Sequence, residues 1–189
     1  MMRACGMGEG VLDTERLILR PPVAEDLPWL LAAMNTDAVM RHLAGVRTAA
    51  EVEEGLAADI AAFAAPDGHR RWTVWLRESD QRVGRVGLFH VRSPAAPPAL
   101  QGQREIGWTF AEGHWGKGYA TEAAERALGF AFADMGLPRI FSQTSESNVA
   151  STRMMQRLGF TFRPELGYDD PDYPPHDNPT TVWSLDAPA

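Results

Sequence analysis

The sequence predicts an α/β fold, a mixed sheet covered by helices. Three observations carry this. Strand patterns cluster in the first half of the chain. In the second half, strands and helices alternate. No repeat or linker divides the two parts. A chain of 189 residues, 44% apolar and 23% charged, is large enough for one sizeable core. Residues 13–189 are expected to form one domain behind a flexible leader, residues 1–12, in which Gly6, Gly8 and Gly10 discourage regular structure.

Residues 15–20 read as a strand stopped by Pro21-Pro22. Asp26 is placed to cap a helix reaching about Met34, with Pro28 in its first turn. Thr48 and Glu51 make a capping box, which opens a helix over residues 51–64 that ends at Pro66-Asp67-Gly68. Trp72, Val74 and Leu76 alternate with polar or outward positions as a strand does. Residues 83–91 follow after a tight turn at Asp80-Gln81, so the two form a hairpin. Residues 93–102, with three prolines, are a loop. In the next strand, residues 105–110, the period of two puts Ile106, Trp108 and Phe110 on one face and Glu105, Gly107 and Thr109 on the other.

Positions 120, 123, 124, 127, 128, 131 and 135 form the apolar stripe of a helix against a sheet, closed by Gly136 and Pro138. Residues 139–144 read as a strand. Ser147 or Asn148 caps another helix that ends at Leu158, with Gly159 after it. Residues 160–163 and 181–185 are the last strands.

The net charge of −7 works against a nucleic-acid binder, which needs basic surface for phosphates. A single cysteine, Cys5, excludes an internal disulfide and fits a reducing, cytoplasmic location. No apolar run is long enough to span a membrane. The histidines at 42, 69, 90, 114 and 176 have no metal-ligand spacing, so no metal is expected.

The informative segment is Gly113-His114-Trp115-Gly116-Lys117-Gly118-Tyr119-Ala120-Thr121-Glu122, between a strand and a helix. Gly116 and Gly118 let the chain curl tightly. The first N–H groups of the following helix lack partners and sit at the positive end of its dipole, which suits a phosphate. Lys117 adds charge and Thr121 a hydroxyl. A Walker loop requires Ser or Thr after Lys117, where Gly118 stands; a dinucleotide fingerprint requires a third glycine, where Thr121 stands. An unliganded glycine-rich loop is the plain alternative. A second cluster, Thr144-Ser145-Glu146-Ser147-Asn148-Val149-Ala150-Ser151, opens the next helix beyond a strand end, where α/β proteins place ligands. Asn148 and Ser151 also suit simple helix capping.

Taken together, Trp115-Gly116-Lys117-Gly118-Tyr119-Ala120, Asn148-x-x-Ser151 and Leu158-Gly159-Phe160 resemble the GNAT superfamily of N-acetyltransferases. Thr14-Glu15-Arg16-Leu17-Ile18-Leu19-Arg20-Pro21 and Glu105-Ile106-Gly107-Trp108 are similar to the branch that acetylates ribosomal-protein N-termini. The resemblance covers roughly residues 13–163. It departs at Trp115, where the family usually has Arg or Gln, and at Met155, where many members have a proton-donating tyrosine that this branch commonly lacks.

The resemblance implies a central twisted sheet of about six to seven strands. It also implies direct transfer of an acetyl group from acetyl-CoA to a primary amine, either a protein N-terminus or a small molecule. Such transfer needs an amine that loses a proton, a polarised thioester carbonyl and a stabilised thiolate. Glu105 is the candidate base, with ion pairing to an arginine or exposure near the strand end as the structural alternatives. Ser151 is the candidate acid or thiolate hydrogen-bond donor. Asn148 orients the pantetheine arm or a water. The backbone at Trp108, Thr109 and Phe110 holds the thioester carbonyl, and Trp115, Gly116, Lys117, Gly118, Tyr119, Ala120 and Thr121 hold the phosphates. Trp29 and Met34 line the acceptor side or pack the core.

The proline-rich residues 164–179 carry Glu165, Asp169, Asp170, Asp172 and Asp177, which either attract a cationic amine or form a solvated loop. Two readings compete with the enzyme: a CoA-binding regulatory module without turnover, and a nucleotide phosphate binder. A homodimer paired through edge strands is compatible with the sequence.

Overall fold

The computed structural model describes residues 10–188. Most of the expected leader, and Cys5 with it, lies outside the described residues. Leu12, assigned to the leader from sequence, is buried in a short strand, β1 (Leu12–Asp13), paired with β2 (Leu17–Arg20). That short strand and the two-residue β7 bring the sheet to eight strands, more than the six to seven expected.

The remaining strands are β3 (Arg70–Leu76), β4 (Arg82–His90), β5 (Arg104–Phe110), β6 (Arg139–Ser145), β7 (Thr161–Phe162) and β8 (Thr180–Asp186). Their order is β1-β2-β3-β4-β5-β6-β8-β7. All neighbours are antiparallel except β5 and β6. A parallel pair needs a crossover. It is supplied by helix α4 (Tyr119–Ala133), whose Ala123, Ala124, Ala127, Leu128 and Ala131 are buried against the sheet. Helix α5 (Val149–Arg157) covers the same face through Met154 and Met155. Leu17, Leu19, Trp72, Val74, Val86, Leu88, Ile106 and Ile140 complete this core.

The opposite face is covered by helix α3 (Ala49–Ala64), by the segment before it and by the loops 92–103 and 164–179. The Thr48 hydroxyl accepts the Glu51 N–H while the Glu51 carboxylate accepts the Thr48 N–H, as the capping box requires.

The expected helix from Asp26 to Met34 is broken into pieces. A turn at Ala24–Asp26 leads into α1 (Leu27–Trp29) and then a wider turn, Leu30–Met34, closed by the Asn35 N–H on the Leu30 carbonyl. Asp26 does not cap these turns from outside. It is fully buried and accepts from Thr73 Oγ1 (2.6 Å), Arg82 Nε (2.7 Å) and the Val23 N–H. A further short helix, α2 (Asp37–Met40), starts where Thr36 accepts the Val39 N–H, a cap visible in the sequence but not recognised there.

Candidate active site

The gap between β5 and β6 organises the site. Only Glu105 and Phe141 are in register across these strands, followed by one side-chain bond from Ser142 Oγ to the Ile106 carbonyl. On one strand, alternate residues turn their peptides to the same edge. Trp108, two residues beyond Ile106, therefore presents its peptide to the β6 side where no ladder pair meets it. The helices α4 and α5 follow β5 and β6, so the N-terminus of each stands at the open end of the gap.

A cavity of about 450 Å³ runs through this gap. Glu105, Thr109, Gln143, Tyr168 and Phe89 line it on the α3 side. Trp108, Asn148, Ser151 and Met155 line it where it passes between the strands. Gly107 leaves space beside Glu105: an added Cβ would meet only the Phe89 ring, at 3.6 Å.

Glu105 forms no ion pair among the described residues. Gln143 Nε2 donates to its Oε2 at 2.6 Å, and the Tyr168 hydroxyl donates to Gln143 Oε1 at 2.9 Å. Burial raises the Glu105 pKa above the ordinary carboxylate value, and the Gln143 hydrogen bond offsets only part of this. Burial likewise pushes the Tyr168 phenol up to about 12, so it stays a proton donor.

The glycine turn lies outside this cavity, beyond the open end of the gap. Gly116 and Gly118 have φ of +72° and +80°, and Gly118 is the residue before α4. Such angles strain any residue with a Cβ. Among the described residues, no protein group accepts the N–H groups of Gly116, Lys117, Gly118, Tyr119, Ala120 or Thr121. The turn is fixed from behind. Glu122, in the first turn of α4, accepts from the Thr14 hydroxyl, the Arg16 N–H (3.0 Å) and the Arg16 guanidinium, which also donates to the Lys117 carbonyl (3.0 Å). The Arg16 guanidinium also lies 4.8 Å from the Tyr119 ring centre. This gives the Thr14-Glu15-Arg16 segment a physical role: it clamps the turn. Trp115 is half exposed and donates its indole N–H to the Phe110 carbonyl at 2.7 Å.

The other predicted site residues divide. Asn148 caps α5 by accepting the Ser151 N–H at 3.2 Å, so the capping alternative holds for Asn148. The Ser151 hydroxyl has no partner among the described residues and lines the cavity. Thr109 turns its peptide toward β4 and its side chain to the cavity, whereas the Phe110 ring is buried in the core against Gly84. Met34 is buried and lines the cavity, while Trp29 packs with the cluster beneath α3.

Two groupings were not found from sequence. The loop 164–179 is not wholly solvated: Asp170 and Asp177 are buried and, with Tyr168 and Tyr173, line the cavity. Asp177 Oδ1 lies 2.7 Å from His42 Nδ1 and accepts from Ser147 Oγ at 3.2 Å. Burial would raise its pKa, but these hydrogen bonds outweigh it and hold the carboxyl low. The second grouping is Asp59 of α3 with His69, Arg71 and Arg85 at 2.8, 3.1 and 2.6 Å. No local motif marks either one, because each joins residues from separate elements. Among the described residues, no group of three or more His, Cys, Asp or Glu is arranged to hold a metal ion.

The model of the acetyltransferase (GNAT) domain family matches residues 16–161. The chain belongs to the GNAT acetyltransferases. Among curated proteins, this acetyltransferase is 29% identical over 153 residues to the uncharacterized N-acetyltransferase YoaA of Bacillus subtilis, covering 79% of this chain and 82% of that one. Among solved structures it resembles the acetyltransferase of Agrobacterium tumefaciens, with a TM-score of 0.77, 28% identity and coverage of 98% and 99% of the two chains. It shares its fold with RimL, a ribosomal L7/L12 α-N-protein acetyltransferase solved with coenzyme A. There the TM-score is 0.74 at 13% identity, covering 94% of this chain and 98% of that one.

Proposed function

We propose that this acetyltransferase moves an acetyl group from acetyl-CoA to a primary amine by direct attack of the amine on the thioester. The observation that supports this most strongly is the gap between β5 and β6. It joins a cavity holding the half-buried Glu105 to the end of the sheet where the glycine turn presents unpartnered N–H groups.

Each residue then has a task. The N–H groups from Gly116 to Thr121 hold the pyrophosphate at the α4 N-terminus, with Lys117 nearby. The indole of Trp115 braces the turn against β5. The Trp108 N–H, facing the gap, polarises the thioester carbonyl. Glu105 takes a proton from the acceptor's ammonium group, directly or through water, and the neutral amine that results attacks the thioester carbonyl as the thiolate leaves. Its raised pKa brings it closer to the working pH, which favours a base. Ser151 donates to the departing thiolate, a role Met155 cannot fill. The free amide group of Asn148 orients the pantetheine arm. Tyr168 and Gln143 hold the Glu105 carboxylate in place. A protein N-terminus and a small-molecule amine both meet these requirements.

The test is acetyl-CoA consumption with a panel of amines by the parent and by Glu105→Gln, with coenzyme A binding measured in parallel. The expected result is a loss of turnover of about 10²-fold or more with binding retained. Binding of acetyl-CoA by both proteins without turnover on any amine would favour a regulatory module. Stronger thermal stabilisation by ATP or NAD than by acetyl-CoA would favour a nucleotide binder.

A further inference from the structure

Arg71 and Arg85 form a charged cluster in the cavity, away from Glu105. Both line it, on the same face of the sheet as Glu105. In the β4–β5 register Arg85 stands opposite Thr109, and Gly87 opposite Gly107. Arg71 stands opposite Gly87 on β3. Arg71 is thus two strands from Gly107, about 10 Å across the sheet at ordinary strand spacing. The Phe89 ring lies over the glycine pair between Glu105 and the arginines, and the Arg71 guanidinium stacks 4.5 Å from its centre. The floor between them is apolar, with a carboxylate at one side and guanidinium groups at the other.

The charges there do not balance. Among the described residues, Asp59 is the only carboxylate bonded to these arginines, and it serves both of them and His69. Arg85 Nε is buried with no partner. The Arg71 side chain remains 35% exposed although its pKa is lowered to about 10, first by burial and then by the charge of Arg85. Arg47 and Arg92 line the same cavity, but so do Glu51, Asp170 and Asp177, so the excess of positive charge is local to the Asp59 cluster. A purely structural ion cluster would match its cations to its carboxylate. This one keeps a surplus guanidinium facing the cavity, where a planar bidentate anion would relieve it.

We infer that the acceptor amine carries a carboxylate, which Arg71 and Arg85 bind while the amine faces Glu105. This rests on the proposed reaction for the amine end and adds a substrate class to it. The amine-bearing acceptor is an amino acid or a short peptide with an acidic group, not a polyamine.

The test compares ω-amino carboxylates from β-alanine to 6-aminohexanoate, and acidic dipeptides, each against its carboxamide. Parent, Arg71→Gln and Arg71→Lys are assayed, with thermal melting as the check on folding; Asp59 keeps Arg85 and His69 as partners in both variants. The parent is expected to favour carboxylate over carboxamide at least tenfold in kcat/KM. That ratio should collapse toward one in Arg71→Gln and fall to an intermediate value in Arg71→Lys. Equal use of both acceptors by the parent, or an equal loss on both in Arg71→Gln, would overturn the inference while leaving the acetyl-transfer reading intact. If no amine is acetylated, that reading fails, and glutarate binding by calorimetry decides this one. Binding lost in Arg71→Gln supports the carboxylate site; no glutarate binding by the parent overturns it.

Discussion

His42 and Asp177 lie 135 positions apart in sequence, yet His42 Nδ1 sits 2.7 Å from Asp177 Oδ1, and the aspartate is fully buried. This contact ties the loop 164–179 to the segment between α2 and α3, so one wall of the cavity depends on it.

His42→Ala removes the closest partner of a buried carboxylate and leaves Ser147 as its remaining side-chain donor. The expected cost is about 2 kcal/mol, the usual loss for a hydrogen bond to a charged group. The sign with pH follows from the lowered Asp177 pKa. Its stabilisation is present above the carboxylate pKa of the unfolded chain and fades as pH falls through the folded value. Urea denaturation of parent and variant at neutral and acid pH measures both effects, and the gap between them should narrow in acid.

Glu105 behaves in the opposite sense. Because burial raises its pKa, ionised Glu105 is a burden on the folded state at neutral pH, so Glu105→Gln should melt no lower than the parent there. In catalysis, kcat/KM should fall with acid along a limb set above the ordinary glutamate range. Gln143→Leu removes the hydrogen bond that lowers the Glu105 pKa, so this limb should move to still higher pH. A pH–rate profile of parent and Gln143→Leu checks this; an unmoved limb would separate Glu105 from the rate.

Two glycines of one region should respond in opposite ways. At Gly118, φ is +80° and an added Cβ would meet the Arg16 guanidinium at 3.3 Å, so Gly118→Ala should cost about 1–2 kcal/mol and weaken coenzyme A binding. Gly129 is exposed within α4 with nothing near a new Cβ, so Gly129→Ala should stabilise by about 0.5–1 kcal/mol. Thermal melting and coenzyme A titration of the two variants test the contrast, with binding by Gly129→Ala expected to match the parent.

Features set by a few neighbouring residues were legible in the chain itself. The Thr48–Glu51 box depends on side-chain hydrogen bonds to nearby backbone, and the glycines at 136 and 159 closing α4 and α5 and the Gly116–Gly118 turn depend on positive φ, which glycine favours. The two faces of β5 were legible as well, because side chains alternate whatever the strand pairs with. Asp26 shows the limit. Its position suggests a cap, but it is buried, and the cost of burying a carboxylate is offset by Thr73 and Arg82, which sit far along the chain.

By itself the sequence determined the order of the longer strands and helices, the anion-ready turn before α4 and the placement of Glu105 on a strand with open space beside it. Only the tertiary structure decided how far β5 and β6 stay paired, and that Gln143 and Tyr168 hold Glu105. It also decided that His42 meets Asp177 and that Asp59 gathers Arg71 and Arg85. The reason is one of range. Propensities and caps act within a turn or two of chain, whereas a buried charge takes whichever partner the packed elements bring to it.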